Sequence, residues 1–456
     1  MSTVLIEQCA IVVTMDDVGT EIPGGSILIE DGRLQWVGAG TPPAAHGAIR
    51  VDGRGTVALP GLVNTHHHLY QTLTRVRAQD QGLFEWLKAL YPVWAGLDEE
   101  WESVAARLGL AELALSGCST TMDHHYIFPR NTPDLLAREI DAAREVGLRF
   151  HPCRGSMDLG TSAGGLPPDL LVQTPETILR DSEEAIHRFH DPRPGSMLRI
   201  AVAPCSPFSV SKALMEESAA LARRLHVRLH THIAETPDEE AYCRATYGRR
   251  PVELLDEWGW LGPDVWLAHC VHLNETDIRR VAKSGTGVAW CPTSNLRLGS
   301  GIAPAGALLA AGARVGLAVD GSASNDGGHL LAEARLGMLL ARTRGASAMS
   351  ARKALAAATR GGAACLGRED IGSLEVGKRA DVALFSVEGL TFAGADDDLV
   401  AAVVFCAPQR VHHLYVDGQP VVQAGRLARL DEEALAAAGH AAGRRLADRN
   451  RRRFTQ

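Results

Sequence analysis

The feature that most constrains the fold of this chain is an alternation of short apolar runs with amphipathic helical stretches between residues 60 and 370. Eight runs have the length and composition of buried strands, and they are Leu62–Val63, Cys118–Met122, Leu148–His151, Leu198–Ala203, Val227–His230, Val265–His269, Gly287–Trp290 and Val315–Val319. The helical stretches between them include Trp101–Leu115, Leu135–Val146, Leu214–Leu225 and Glu275–Ala282. Eight strands that alternate with helices predict an α/β fold built on a (β/α)8 TIM-like barrel.

Both ends of the chain show a different pattern, in which short strands are separated by glycine turns. In the N-terminal part, Asp31-Gly32 lies between two apolar runs, which is a strong signal for a β-hairpin. Similar segments return near the C-terminus, where strands are predicted in 372–378, 380–385, 402–405 and 411–418. We therefore predict one small β-sandwich formed by residues 1–59 and 371–430. The barrel of residues 60–370 is inserted between its halves, and residues 431–456 form a C-terminal helix or tail.

Composition and charge restrict the function classes. Of the 456 residues, 46% are hydrophobic and 22% are charged, as expected for a soluble protein with a large core. The net charge of −8 argues against nucleic-acid binding, because phosphate recognition needs a basic surface. The stretch from Met1 to Glu7 lacks the features of a secretion signal, and no apolar run reaches the roughly 18 residues of a membrane span. Nine cysteines without CxxC spacing are typical of reduced thiols, so we expect a cytoplasmic protein without a membrane partner.

Histidines directly follow the first predicted strand. In an extended chain alternate side chains share a face, so His66 and His68 point to one side and the histidine between them to the other. His232 and Asp320 follow the fifth and eighth predicted strands. Three imidazoles and one carboxylate suit zinc, or Fe²⁺ less often, with an open position for a water molecule. The fourth-strand segment 200–206 contains no lysine that could bridge two metals, so we expect one metal.

Further polar residues near these positions have roles that the sequence leaves partly open. His230 lies two residues before His232 and could share its face; we favour His232 as the ligand because Glu235 follows it closely. Glu235 is predicted to carry a proton from the water on the metal to a ring nitrogen of the substrate. His269 fits an electrostatic role beside a developing oxyanion, whereas His272 is expected to be structural.

The motif Pro60-Gly-Leu-Val-Asn-Thr-His66-x-His68, followed by His232-x-x-Glu235, His269 and Asp320, resembles the amidohydrolase superfamily in its cytosine- and guanine-deaminase-like branch. The Gly-Ser-Leu-Glu-x-Gly-Lys-x-Ala-Asp segment at 372–381 extends the resemblance to essentially the whole chain. The resemblance implies a mononuclear zinc hydrolase with the ligands His66, His68, His232 and Asp320. It also implies that Glu235 shuttles protons, that His269 lies beside the hydroxide and that Asp320 doubles as a base. Barrels of this family often pair, so we expect a homo-oligomer, with segment 84–91 as interface, lid or ordinary core helix.

The residues after the second ligand histidine are informative about the substrate. Gln71 lies three residues after His68, and a carboxamide that both donates and accepts matches a purine or triazine edge. The segments around Arg154 and at 203–210 resemble those of bacterial enzymes that hydrolyse 8-oxoguanine to urate and ammonia. We expect this reaction, with Tyr70, Gln71 and Arg154 around the base. Arg154 could instead be a structural ion-pair partner, and Tyr70 could be an aromatic wall only.

Other functions are open as alternatives. The same scaffold would suit a hydroxytriazine amino- or chlorohydrolase, or a guanine or pterin deaminase. A non-catalytic binding protein would have lost a ligand or the glutamate, and this chain has all of them. The acidic charge argues against repair of a damaged base within DNA, so the expected partner is a small free heterocycle.

Overall fold

The computed structural model describes residues 3–42, 45–129, 132, 134–406 and 408–454, so the first two residues of the stretch inspected for a secretion signal lie outside the described residues. The strands are β1 (Val4–Glu7), β2 (Ile11–Val13), β3 (Glu21–Pro23), β4 (Gly25–Glu30), β5 (Arg33–Ala39), β6 (Ile49–Asp52), β7 (Thr56–Pro60), β8 (Leu62–Asn64), β9 (Cys118–His125), β10 (Arg149–Ser156), β11 (Ala201–Pro204), β12 (Arg228–Ile233), β13 (Val265–His269), β14 (Gly287–Trp290), β15 (Arg314–Leu317), β16 (Val382–Ser386), β17 (His413–Val416), β18 (Gln419–Gln423) and β19 (Arg426–Leu427).

The α-helices are α1 (Leu83–Trp94), α2 (Glu99–Leu115), α3 (Leu135–Val146), α4 (Pro175–Phe189), α5 (Lys212–Arg224), α6 (Pro237–Tyr247), α7 (Pro251–Glu257), α8 (Glu275–Ser284), α9 (Pro292–Arg297), α10 (Ala305–Ala310), α11 (Leu330–Ala341), α12 (Ala351–Ala356), α13 (Gly362–Cys365), α14 (Leu399–Phe405) and α15 (Glu432–Phe454). Capping side chains fix where several of them begin; at α2, Asp98 accepts a hydrogen bond from the backbone N–H of Trp101 (2.8 Å). Within the described part of the chain, no helix is both long enough and apolar enough to span a membrane.

Strands β8 to β15 are parallel and follow one another in chain order around a barrel. The ring closes between the last strand and the first, where the backbone N–H of Thr65 donates to the carbonyl of Leu317 (3.1 Å). Small and branched side chains fill the interior, together with the indole of Trp266. The predicted (β/α)8 barrel is therefore confirmed. Strands β13 and β14 have the predicted bounds, whereas β9 and β12 each end three residues beyond the prediction.

The chain ends form two further sheets beside the barrel. A four-stranded sheet in the order β5-β4-β1-β6 is entirely N-terminal, and a seven-stranded sheet has the order β19-β18-β17-β16-β7-β2-β3. The predicted hairpin is present between β4 and β5, and both turn residues, Asp31 (φ 49°) and Gly32 (φ 72°), are left-handed. Antiparallel pairing of β16 with β7 joins the two ends of the chain in one sheet. The residue boundaries of the domains given above stay a proposal.

Two of the predicted C-terminal strands are wrong. Residues 402–405 belong to helix α14, which begins where Asp398 accepts a hydrogen bond from the backbone N–H of Ala401 (3.0 Å). Val400, Val403 and Val404 of this helix are buried in the main core, so tertiary packing overrides the strand preference of valine. Residues 372–378 form turns instead of a strand, although the segment still bonds to β5 through the backbone of Leu34.

Arg149, the first residue of β10, joins the barrel to the C-terminal sheet. Its guanidinium is fully buried and donates to both carboxylate oxygens of Asp381 (2.7 and 3.0 Å) and to Asp417 (2.6 Å). Burial alone would lower the pKa of Arg149, but the two carboxylates raise it above its usual value. This buried group of charges lies at the N-terminal ends of the barrel strands, opposite the end that carries the histidines.

Candidate active site

Six histidines meet at the carboxyl ends of the barrel strands, and all are buried: His66, His68, His124, His230, His232 and His269. Because β8 already ends at Asn64, the first two lie in the loop after the strand. Asn64 holds this loop, since its amide nitrogen donates to the carbonyl of His66 (3.2 Å) and its amide oxygen accepts from the backbone N–H of Val319 (2.9 Å). The backbone N–H of Asp320 also donates to the carbonyl of His66 (3.1 Å). The ends of the first and eighth strands thereby fix His66 beside Asp320.

Four donor atoms lie close together: Nε2 of His66, His68 and His232, and Oδ1 of Asp320. Oδ1 of Asp320 is 3.3 Å from Nε2 of His66 and 3.4 Å from Nε2 of His68. Nε2 of His68 is 3.1 Å from Nε2 of His232. A tetrahedral Zn²⁺ with bonds of about 2.1 Å needs ligand atoms about 3.4 Å apart. The observed separations fit such an ion, and within the described residues the buried Nε2 of His66 has no hydrogen-bond partner.

The ring nitrogens on the far side of two of these imidazoles fix their tautomers. Nδ1 of His68 lies 2.7 Å from the carbonyl oxygen of His124, and Nδ1 of His232 lies 2.7 Å from that of Cys205. A carbonyl can only accept, so each Nδ1 carries the proton and each Nε2 keeps a free lone pair. Both rings therefore present a metal-binding nitrogen to the same point.

His66 is held in the same tautomer by another histidine. Its Nδ1 lies 2.8 Å from Nε2 of His230, and Nδ1 of His230 lies 2.8 Å from the carbonyl oxygen of Trp266. Since Nδ1 of His230 donates its proton in a hydrogen bond to that carbonyl, Nε2 of His230 is unprotonated and accepts a hydrogen bond from Nδ1 of His66. The structure thus places His230 behind His66 as its orienting partner, whereas His232 stands among the four donors.

The protonation states of these groups suit metal binding. Burial, together with the neighbouring histidines, lowers the pKa of His68 and of His232 well below the usual value. Burial alone would raise the pKa of Asp320, but His66 and other neighbouring histidines hold it well below its usual range. The second oxygen of this carboxylate accepts a hydrogen bond from the Ser294 hydroxyl (2.5 Å). Neutral imidazoles and an ionised carboxylate are the forms that bind zinc.

Backbone strain is concentrated at the same end of the barrel. Ala234 (φ 51°), His269 (φ 72°), Cys270 (φ 52°) and Asp320 (φ 65°) adopt left-handed conformations, although none of them is glycine. Each such residue costs on the order of 1–3 kcal/mol and persists only where the surrounding structure enforces it. The strand ends that carry the candidate site are therefore held in shape by their surroundings.

Glu235 lies beside His269 at the edge of the four donors. Its Oε2 is 3.5 Å from Nε2 of His269, and its buried Oε1 has no hydrogen-bond partner in the part of the chain that the structure describes. Burial raises the pKa of Glu235 well above its usual range, with contributions from Asp320 and Glu239, which favours the protonated form that a general acid needs. The amide nitrogen of Asn295 lies 3.0 Å from Nδ1 of His269 and donates to it. The proton of the neutral imidazole is then on Nε2, facing Glu235.

One cavity is lined by five of the polar residues described above, and its remaining walls are mostly apolar or aromatic; the five are His68, His232, Glu235, His269 and Asp320. Helix α1 covers it with Leu83, Trp86, Leu87 and Tyr91, and the rest of the wall comes from Tyr126, Cys205, Phe208, Leu298 and Ser324. Gln71 enters from the 3-10 helix Leu69–Thr74, and its buried amide oxygen has no hydrogen-bond partner among the described residues. Gly321 makes room for this amide, because a Cβ there would lie 2.0 Å from that oxygen. Segment 84–91 thus forms part of the cavity wall.

The other two predicted substrate residues do not line this cavity. Tyr70 is fully buried behind it, with its ring edge-on to that of Tyr126 at 5.8 Å. Arg154 faces elsewhere: its guanidinium stacks on Phe128 at 3.7 Å and donates to Gln173 (2.7 Å). The structural role weighed for Arg154 fits its position, whereas Tyr70 packs behind Tyr126, which forms the wall itself.

His124 belongs to the site although it is not among the residues predicted from sequence. His124 donates through Nε2 to the carbonyl of Ala203 (2.8 Å), and its ring stacks on His232 with centroids 4.7 Å apart. A signal was available, because Asp123-His124-His125 directly follows the predicted second strand, at its carboxyl end. His272 does have the structural position expected of it, since its Nε2 donates to the carbonyl of Ser300 (2.8 Å).

Comparisons with known proteins agree with this geometry. Residues 57–421 match the model of the amidohydrolase family. The chain is 50% identical over 422 residues to 8-oxoguanine deaminase of Pseudomonas aeruginosa, which covers 92% of this chain and 94% of that protein. It is 38% identical over 466 residues to hydroxydechloroatrazine ethylaminohydrolase of Pseudomonas sp. (strain ADP), covering 98% and 96%. The crystal structure of atrazine chlorohydrolase from Arthrobacter aurescens TC1 complexed with zinc matches with a TM-score of 0.92 and 35% identity, over 96% of this chain and 100% of that one.

Proposed function

The chain belongs to the amidohydrolase family, its relatives include hydrolytic deaminases, and we propose that its substrate is 8-oxoguanine, which it converts with water to urate and ammonia. The reaction class is supported by the family match and by the site. The choice of substrate is supported by the relative that is 50% identical over 92% of the chain.

One observation supports the proposal: three buried polar atoms of the same site have no hydrogen-bond partner among residues 3–42, 45–129, 132, 134–406 and 408–454. They are Nε2 of His66, Oε1 of Glu235 and Oε1 of Gln71. A buried polar atom without a partner costs roughly 1–3 kcal/mol, so such atoms mark places where a ligand completes the structure. A metal would satisfy the imidazole, the reacting groups would satisfy the carboxyl group, and an N–H on the substrate edge would satisfy the amide oxygen.

We propose that one Zn²⁺ per subunit is held by Nε2 of His66, His68 and His232 and by Asp320, with Fe²⁺ as the alternative metal. The separations and tautomers described above support this ligand set. The relative whose structure was solved with zinc supports the choice of zinc. When bound, the ion would supply a water molecule whose pKa is lowered toward neutrality.

The chain's own residues would direct the protons of the reaction. Water forms a C–O bond to the ring carbon that carries the exocyclic amine, while Asp320 accepts one of its protons. Glu235 donates a proton to the adjacent ring nitrogen, and His269 stabilises the new oxygen through its Nε2–H. The second proton of the water then passes from the new hydroxyl to the amine as the C–N bond breaks, and ammonia leaves. The proton held by Asp320 passes to Glu235, which restores both groups. Gln71 orients the base throughout; no substrate contact is assigned to Tyr70 or Arg154.

Amine release from four heterocycles tests the proposed substrate: ammonia from 8-oxoguanine, guanine and isoxanthopterin, and an alkylamine from hydroxyatrazine. With zinc-loaded enzyme, we expect the kcat/KM for 8-oxoguanine to exceed that for guanine, isoxanthopterin and hydroxyatrazine by about ten-fold or more, because a polar site discriminates on hydrogen bonds. Equal or faster turnover of guanine would contradict the choice of 8-oxoguanine. Absence of amine release from all four would contradict the assignment as a deaminase of this class.

We also propose that the enzyme works in the cytoplasm as a homo-oligomer. All nine cysteines are free thiols, which supports a reducing compartment. The apolar and aromatic cavity supports a small heterocyclic partner. Light scattering on the purified protein would test the oligomer.

A further inference from the structure

The residue that carries the proton in the proposed reaction stands in an irregular segment. Glu235 lies between the end of β12 at Ile233 and the start of α6 at Pro237. The residue before it, Ala234, is left-handed (φ 51°), so the chain turns sharply here. A segment with two consecutive N–H groups outside helix and strand needs acceptors from elsewhere in the molecule.

Both N–H groups donate hydrogen bonds to a single buried carboxylate. Oε1 of Glu239 accepts from the backbone N–H of Ala234 (2.8 Å), and Oε2 accepts from that of Glu235 (2.8 Å). Glu239 lies in the first turn of α6, and its own N–H donates to the hydroxyl of Thr236, the residue that caps the helix (3.3 Å). A glutamate at the third position of a helix ordinarily accepts from the backbone N–H of the capping residue, here Thr236. The carboxylate of Glu239 instead accepts from the N–H groups of the two residues before Thr236.

We propose that Glu239 is a positioning residue, whose carboxylate holds the two successive peptide groups on either side of Ala234 so that the Glu235 side chain faces His269. This inference rests on the proposed function, because it gives Glu239 its role through Glu235. The N–H of Ala234 belongs to the peptide group that follows Ile233, and the N–H of Glu235 belongs to the next one, so a single carboxylate fixes the orientation of both. That orientation sets the direction of the Glu235 side chain, whose Oε2 is 3.5 Å from Nε2 of His269.

The surroundings of Glu239 favour this role over a simple ion pair. Its side chain is buried, and among the described residues no lysine, arginine or histidine nitrogen lies within 4.0 Å of it. Burial raises the pKa of Glu239 to about 7, while the backbone N–H groups of Glu235 and Ala234 act in the opposite direction. Burying a carboxylate without a cation is unfavourable in free energy, and the two backbone hydrogen bonds offset part of that cost here.

The test compares Glu239→Gln with Glu240→Gln. A glutamine keeps the shape of Glu239, but its amide oxygen can accept from only one of the two backbone N–H groups. Its NH2 group then faces the other N–H group and cannot accept from it. Glu240, the next residue on the helix, pairs with Arg250 (2.6 Å) and Arg244 (2.9 Å) and does not bond to residues 234 or 235. The control therefore removes the same charge without touching the segment.

Two readouts separate the positioning role from the proposed function. Hydrogen exchange, followed by mass spectrometry on peptides that cover residues 232–236, needs no substrate; we expect exchange about ten-fold faster in Glu239→Gln and unchanged in Glu240→Gln. With 8-oxoguanine, we expect kcat to fall by about 10- to 100-fold in Glu239→Gln, with KM and zinc content close to wild type, because the proton donor is displaced and the binding site is not.

Unchanged exchange in Glu239→Gln would contradict the claim that Glu239 protects the N–H groups of residues 234 and 235. Faster exchange with wild-type kcat would contradict the positioning role. If wild type released no ammonia, the proposed function would fail while the exchange result still decided on the contact. If Glu239→Gln did not fold, Glu239→Asp would take its place. It keeps the charge but is one methylene too short to reach both N–H groups, so we expect intermediate exchange and kcat; wild-type values for both would overturn the proposal.

Discussion

The histidine residues of this site differ in what their second ring nitrogen contacts. For His68 and His232 that contact is a backbone carbonyl, whereas for His66 it is the imidazole of His230. Groups that hold the far side of a metal-binding histidine set its tautomer and its orientation, and their loss typically lowers metal affinity 10- to 100-fold. His230 therefore belongs to the proposed zinc site although it is not one of the four donors.

Replacement of His230 tests this position. His230→Phe preserves a ring that can stack on Trp266, where the two centroids are now 4.5 Å apart, but it removes the acceptor for His66. We expect the affinity for Zn²⁺, measured by competition with a chromogenic chelator, to fall by about 10- to 100-fold.

The matched control is His272→Phe, since the imidazole of His272 donates to the backbone carbonyl of Ser300, away from the four donors. An unchanged zinc affinity in His230→Phe, or an equal loss in both variants, would contradict the role given to His230.

The residues that can be singled out from sequence are those that follow a recognisable strand, namely His66, His68, His232, Glu235, His269 and Asp320. The structure brings them together at one end of the barrel, and their roles stay a proposal. The resemblance places Arg154 beside the base, whereas in the structure its guanidinium stacks on Phe128 and donates to Gln173. No local pattern shows this, because Gln173 lies 19 residues away and meets Arg154 only in the folded protein. Asn295 escapes prediction for a similar reason, as it follows β14 but its contact is with His269 at the end of β13.

At the scale of elements, strands with regular patterns were predicted better than those whose ends depend on packing. The apolar runs of β13 and β14 gave their bounds directly. The end of β9 was placed too early, because Asp123, His124 and His125 are polar yet fully buried. Residues 402–405 of helix α14 are predicted as a strand, since the helix sequence Leu-Val-Ala-Ala-Val-Val-Phe is rich in valine. Its helical state depends on the cap at Asp398 and on the core that it packs against.

The link between β10 and the C-terminal sheet gives a prediction at the same scale. In Arg149→Met the carboxylates of Asp381 and Asp417 lose their buried partner. We expect the free energy of unfolding, measured with urea, to fall by about 3–5 kcal/mol, because an uncompensated buried charge is left behind.

The exposed pair of Arg107 and Glu145 offers the comparison. Arg107→Met removes an ion pair whose side chains are 35% and 41% exposed, so a loss of about 0–1 kcal/mol is expected. Losses of equal size in the two variants would show that Arg149 contributes no more than a surface pair.

At the scale of the whole molecule, the barrel end with the histidines and the end with Arg149 have separate tasks. The residues proposed to bind metal and substrate lie at the carboxyl ends of the strands, whereas Arg149 contacts the C-terminal sheet at the other end. The sequence predicts the first of these positions, because the polar candidates follow the predicted strands. It leaves three roles open for segment 84–91, and the structure places part of this segment in the cavity wall, because helix α1 packs across the barrel mouth.

A zinc titration that follows urate formation tests the proposed metal site and the proposed reaction together. Metal-free enzyme receives increasing Zn²⁺ in the presence of 8-oxoguanine, and the appearance of urate is recorded. We expect no urate without metal and a rate that rises linearly until one Zn²⁺ per chain is bound, because one set of four donors holds the ion. Urate formation by the metal-free protein, or a rate that continues to rise to two ions per chain, would contradict this expectation.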